Sequence, residues 1–195
     1  PQQLTFDNLL DAVEHLQIIS IELDADDDAQ LIFESLNSTG LALTEADKIR
    51  NYLLMSLTAE EQQLCFKNYW QKIESATENN PTKFLRDYLT IKQQLQRPVR
   101  LSNIYFEWKK YMDGRDRKQE MVEMLDYARY YQQVTEAQME TSKLSAKMRH
   151  ICNIESDVTN VFFIQFLKYA ATNNLSYDEI DKVIDVVENY LARRI

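Results

Sequence analysis

Glycine is scarce in this chain: Gly40 and Gly114 are the only two among 195 residues, and proline occurs three times, at Pro1, Pro81 and Pro98. With 45% apolar residues and so few turn formers, the composition leaves little for loops and favours a mostly helical protein. No Gly-rich phosphate loop is present. Cysteine is equally rare. Cys65 and Cys152 sit far apart in helix-like apolar settings, which reads as two buried free thiols in a reducing, cytoplasmic compartment rather than a disulfide or a metal pair. His15 and His150 are the only histidines, so no Ser-His-Asp or Cys-His constellation is visible and no self-contained hydrolase is expected. No run of about 18 apolar residues occurs, and PQQLTFDN at the N-terminus has neither a charged nor an apolar leader region, so neither a membrane span nor a secretion signal is expected. Positive charge is in deficit: 22 Lys and Arg face 31 Asp and Glu, for a net −9. That is the wrong balance for a piece that alone would hold a nucleic-acid backbone.

What the chain does contain is helical periodicity. Phe6, Leu9, Leu10, Val13 and Leu16 space out one face of an amphipathic helix. Ile18–Leu23, IISIEL, reads as a short strand whose sheet partners would lie upstream of Pro1. Asp24, Asp26, Asp27 and Asp28 read as charge complementing the start of the next helix, since their spacing lacks the Gly and distal Glu of a calcium loop. Thr58 with Glu61 and Ser176 with Glu179 are capping boxes that open two later helices. Asn80 and Pro81 open the helix carrying FLRDYLT, in which Arg86 and Asp87 read as an ion pair. Arg97 and Pro98 break the chain, and Gly114 closes a helix through Ile104, Trp108 and Met112. A helix over 118–134 and a weaker one over 141–152 follow, the latter with His150 and Cys152 on different faces and so no zinc pair. Asp157 caps VTNVFFIQFLKYAA, which is apolar on nearly all sides and is expected to be the buried centre of the bundle. Two basic clusters, Lys109, Lys110, Arg115, Arg117 and Lys118, then Lys143, Lys147, Arg149 and His150, read as solvated helix faces rather than phosphate contacts. The dense aromatics from Tyr105 to Tyr111 and from Tyr127 to Tyr131 read as interhelix packing in preference to base stacking.

One stretch stands apart. Residues 32–51 read IFESLNSTGLALTEADKIRN, a helix ending in a polar turn with a second helix beginning just after it. Phe33, Glu34 and Asn37 share a helix surface, as do Asp47 and Asn51 one helix later. Spacing alone favours caps over a polar site: Asn37 and Gly40 suit a helix C-terminus, and Thr44 with Asp47 forms a capping box. The pattern of Phe33, Glu34, Asn37, Gly40, Leu43, Asp47 and Asn51, continued into YLLM, also resembles the second signature of the large bacterial family found at the N-terminus of GmrSD-type restriction systems. NYW at 68–70, FLRDYLT at 84–90, ARYY at 128–131 and the closing ENYLARR extend the resemblance over nearly the whole chain.

The resemblance implies a ParB/sulfiredoxin-like sensor domain, a role in defence against phage and foreign DNA linked to nucleotide hydrolysis, and a fused or partnered HNH-type nuclease. Its first signature, a DGQQR-like stretch, would lie upstream of Pro1 and the nuclease segment downstream of Ile195. The abrupt helical ends read as a fragment. By resemblance, Phe33, Glu34, Asn37, Gly40, Asp47 and Asn51 would line a nucleotide or metal pocket for an NTP with a divalent cation in the full-length protein, with Lys48 and Arg50 supplying positive charge. DNA would be met through the missing domains, and a protein partner or a second copy through the bundle. The fold expected is mainly α, a bundle of about eight to ten helices with one short strand near the N-terminus. Residues 1–57 would close the ParB-like motif domain, and residues 58–195 would form the helical bundle. The alternative reading is a non-catalytic helical scaffold or protein-interaction module.

Overall fold

The computed structural model describes residues 5–17, 32, 43–55, 57–153 and 157–193. The strand expected over Ile18–Leu23, the acidic run that follows it, and the turn carrying Phe33, Glu34, Asn37 and Gly40 lie outside the described residues. Those described form a mainly α protein of nine helices: α1 (Phe6–Glu14), α2 (Glu45–Leu54), α3 (59–76), α4 (Pro81–Lys92), α5 (Ile104–Tyr111), α6 (Arg117–Thr135), α7 (Ser142–Asn153), α8 (Asp157–Thr172) and α9 (Tyr177–Ala192). Within α3 the α-helix Ala59–Cys65 passes through a π-helical turn, Phe66–Trp70, and resumes as Gln71–Ala76. A short 3-10 turn, Leu101–Asn103, leads into α5. No described helix is long and apolar enough to cross a membrane.

The helix starts are written locally. Thr5 with Asn8, Thr44 with Asp47, Thr58 with Glu61, and Ser176 with Glu179 each close a reciprocal capping box, satisfying two orphan backbone donors at a time. Asp116 Oδ1 accepts from Gln119 N at 2.6 Å to start α6. At α4 the expected cap is only half present. Pro81 occupies the first turn, but Asn80, at φ −127° and ψ 68° and so outside the extended backbone of the other caps, makes no side-chain cap.

The helix stops explain how a chain with so little glycine turns corners. After α3, α4, α6 and α8, the second residue beyond the helix adopts positive φ: Glu78 at 52°, Gln94 at 51°, Ala137 at 50° and Asn174 at 53°. Each stop makes the paired backbone bonds of a Schellman turn, as in Gln94 N to Ile91 O at 3.2 Å and Leu95 N to Thr90 O at 3.0 Å. Among the described residues only Gly114, at φ 70°, uses a residue with no steric penalty for this conformation.

The centre of the bundle is α4. It contacts α2, α5, α6 and α8, and Phe84, Leu85, Tyr88, Leu89 and Ile91 are all buried. Phe84 meets the Tyr131 ring edge-on at 5.4 Å, and Tyr88 meets Tyr127 edge-on at 5.2 Å, both on α6. Trp108 of α5 lies 6.0 Å from Tyr88. Burial of each such aromatic stabilises by about 1.5–3 kcal/mol. Two polar contacts on α4 form at close range: Arg86 pairs with Asp87 Oδ1 at 2.9 Å, and Thr90 Oγ1 donates to Arg86 O at 2.7 Å. Asp87 is only 1% exposed.

That arrangement corrects the expectation that α8 is the buried centre. α8 packs Phe163, Ile164, Leu167 and Ala170 inward, but Phe162 (45% exposed) and Tyr169 (58%) face solvent. Phe162 and Phe166 stack on each other at 5.8 Å, so this helix covers α4 and α6 rather than being covered. α9 in turn rides on α7. Lys143 and Lys147 pair with Asp181 at 2.5 and 2.6 Å, Lys147 reaches Asp185, and His150 Nδ1 meets Glu188. Lys143, Lys147 and His150, at i, i+4 and i+7, thus meet carboxylates at i, i+4 and i+7, a ladder between two helices.

Candidate functional site

Of the six expected site residues, Asp47 and Asn51 are described, and both sit on α2. Asp47 occupies the third position of that helix. Its Oδ2 accepts from Thr44 N at 3.2 Å and from Thr44 Oγ1 at 2.7 Å, while Thr44 Oγ1 accepts from Asp47 N at 3.1 Å. Its other oxygen, Oδ1, pairs with Arg50 at 3.0 Å. Asn51 lies one turn on, half-buried on the same face. Both carboxylate oxygens of Asp47 are therefore engaged in holding the start of their own helix.

Charge then passes from α2 into the bundle. Arg50 Nη1 reaches Glu74 Oε1 at 3.3 Å, and that same oxygen accepts from Trp70 Nε1 at 2.6 Å, joining α2 to the π-turn of α3. The ring of Trp70 is fully buried. Glu45 splits its carboxylate between Lys48 Nζ at 2.8 Å and the backbone N–H of Tyr105 at 2.9 Å. The second contact places a carboxylate on an orphan donor at the N-terminus of α5, where the helix dipole favours negative charge. Arg117 Nη1 donates to Tyr52 O at 2.8 Å while its guanidinium lies 4.4 Å over the Tyr52 ring. Tyr52 meets Tyr105 edge-on at 6.4 Å. Below this polar rim Ala46, Ile49 and Leu53 are buried.

The sequence does not single out Glu45 or Glu74, and it shows Tyr105 and Arg117 only as members of an aromatic and a basic cluster. Their partners lie 24 to 65 residues away, a separation at which no local spacing carries a signal. The Trp70–Glu74 bond is the local exception, since four residues on a helix place the two side chains on one surface.

No protein-family model, curated protein or solved structure matches this chain.

Chemistry elsewhere is sparse. Among the described residues no group of three or more His, Cys, Asp or Glu converges to hold a metal ion. Asp47, capped to Thr44 and paired to Arg50, does not fit the role of a divalent-cation ligand in this geometry. His150 turns to Glu188 and Cys152 Sγ donates to Val134 O at 3.2 Å, so the two point to different partners. Burial pushes the thiols of Cys65 and Cys152 above their ordinary range, which disfavours the reactive thiolate. Glu120 is buried with no cation beside it among the described residues. Tyr88 donates to its Oε1 at 2.5 Å and Tyr111 donates to the same atom at 2.8 Å. Burial first and this carboxylate second hold both phenols well above the usual tyrosine range, so they remain donors. A groove of about 560 Å³ between the ends of α6 to α9 is floored by Met139, Leu144, Leu167 and Ile180, with Tyr130 and Glu140 at its rim. Neither Asp47 nor Asn51 lines it.

Proposed function

We propose that this chain is the helical region of a bacterial GmrSD-like DNA restriction or phage-defence protein, and that it acts there as a scaffold. In this reading α2 is held rigidly against the bundle so that a nucleotide-linked sensor domain on one side is coupled to an HNH-type nuclease on the other. The resemblance of residues 32–51 and of the later signatures supports the family half. One observation carries the scaffold half: α2 is clamped by Glu45 on Tyr105 N, Arg50 on Glu74 and Arg117 on Tyr52 O, bonds that span 60, 24 and 65 residues. Lys48 and Arg50, the cations a phosphate would need, are already paired with Glu45, Asp47 and Glu74.

The deciding experiment measures nucleotide hydrolysis and thermal melting side by side in the protein that carries this chain. Loss of a side-chain cap destabilises by about 0.5–2 kcal/mol, so Asp47→Ala should lower melting temperature and activity together. An Asp47→Ala protein that melts like wild type yet no longer hydrolyses nucleotide would overturn the scaffold role in favour of a catalytic pocket. Failure of the wild-type protein to hydrolyse any nucleotide or cut DNA would remove the family half.

A further inference from the structure

The two basic clusters, alike in sequence, end in opposite situations. On α7 the charges of Lys143, Lys147 and His150 are matched rung by rung with Asp181, Asp185 and Glu188. Of that cluster only Arg149 is exposed without a carboxylate partner among the described residues. Between Arg97 and Lys118, seven Lys and Arg meet only three carboxylates, Glu107, Asp113 and Asp116, in a chain whose remaining residues hold 15 cations against 28 carboxylates. Glu107 is taken by Lys110 at 3.1 Å, and Asp116 by the start of α6. Arg97, Arg100 and Arg115 are exposed, and none has a carboxylate partner among the described residues.

Aromatic surface lies within the same stretch. Phe106, 58% exposed, occupies the outward face of α5 with Lys110 Nζ 4.2 Å from its ring centre. Leu101, also exposed, immediately precedes it on the 3-10 turn that Arg100 opens. The neighbouring rings of Tyr105, Trp108 and Tyr111 are turned into the core, so Phe106 is the aromatic of this helix left facing water.

We propose that the outward face of α5 and the loop leading into it bind single-stranded nucleic acid, with Arg97 and Arg100 on the phosphates and Phe106 stacked on an unpaired base. A phosphate held against this face responds to charges within a screening length of about 8 Å at physiological salt, so the local excess of cations outweighs the net charge of the chain. A flat exposed ring edged by cations offers both things an unpaired strand presents, a backbone of negative charge and the π-face of a base. A duplex hides its base faces, and an acidic peptide would engage the cations while leaving Phe106 in water. The inference goes beyond the scaffold role, because it assigns nucleic-acid contact to this chain itself.

The test is fluorescence anisotropy of a labelled thymidine oligonucleotide of about twenty nucleotides, titrated with the chain at about 50 and about 200 mM salt. The wild type should bind at the lower salt and weaken steeply at the higher. Arg97→Glu/Arg100→Glu should lose at least about tenfold in affinity. Phe106→Ala should lose at least about fivefold, the low end of what one missing base stack costs. Lys67→Glu, an exposed charge reversal on α3, should stay within about twofold. Unchanged melting of each variant shows that the loss is not unfolding. The proposal is overturned by absence of binding at low salt, by an equal loss in Lys67→Glu, by an unaffected Phe106→Ala, or by a glutamate peptide of equal length competing as well as the oligonucleotide.

Discussion

Gln94 carries a conformational burden that a glycine would not. It sits at φ 51° after α4 with its side chain exposed, so an L-residue is held in left-handed backbone without compensating packing. Gln94→Gly should therefore raise stability by about 0.5–1 kcal/mol, read as a higher denaturant midpoint at constant slope. Ala137, at φ 50° but buried, makes a poorer target because its methyl fills core space. The pair of phenols on Glu120 sets a second expectation. Tyr88 and Tyr111 are held above the usual tyrosine range by burial and by the carboxylate. A group whose folded value is raised contributes stability that is complete below its unfolded value, about 10, and is lost as pH climbs past it. The phenolate absorbance of these two residues should appear only together with alkaline unfolding, and Tyr88→Phe/Tyr111→Phe should shift that unfolding. A phenolate signal from them in a folded protein would contradict the buried network.

At the scale of elements, the helix caps and the α7 to α9 ladder share an acid sensitivity. Hydrogen bonds from Thr58 hold the Glu61 carboxyl below its ordinary value, Ser176 does the same for Glu179, and Lys143 and Lys147 do so for Asp181. Depressed carboxyls contribute stability that is present above their unfolded values, near 4, and is lost as pH falls through the folded ones. Melting temperature should therefore drop from pH 7 to pH 3, and Glu61→Gln/Glu179→Gln should flatten the drop. Asp181→Lys should place like charges against Lys143 and Lys147, lowering the melting temperature more at low salt than at about 0.5 M. Equal effects at both salts would mean that the ladder is not electrostatic in origin.

For the molecule as a whole, α4 is the element the other helices share. Truncating Phe84, which touches Tyr88 and Tyr131, should cost about 3–5 kcal/mol and lower the stability of the bundle as one unit. Because Ile49 and Leu53 of α2 belong to the same buried core as α4, amides of α2 should exchange hydrogen at the rate of global unfolding. Faster, separate exchange of α2 would show that it opens independently of the helices behind it.

Residues close in sequence announced most of the elements. Thr58 with Glu61, Ser176 with Glu179 and Pro81 are signals complete within four residues, and the structure uses each of them. Arg86 with Asp87 is a local pair that also survives as read. Periodicity misjudged which helix is central, for a physical reason. It counts Arg86, Asp87, Thr90 and Lys92 as marks of a solvent face, yet they lie buried or half-buried on α4, satisfied by one another, by Arg86 O and by Glu123 at 2.6 Å. It likewise counts Phe162 and Tyr169 as core, although they face water. The motif helix shows the same division. Thr44 and Asp47 were legible in the letters, because capping is a relation between near neighbours. Glu45 on Tyr105, Arg50 on Glu74 and Arg117 on Tyr52 were not, because such pairs exist only once distant helices are brought into contact. The two basic clusters differ for that reason too: α9 lies against one and neutralises it, and no described carboxylate row lies against the other.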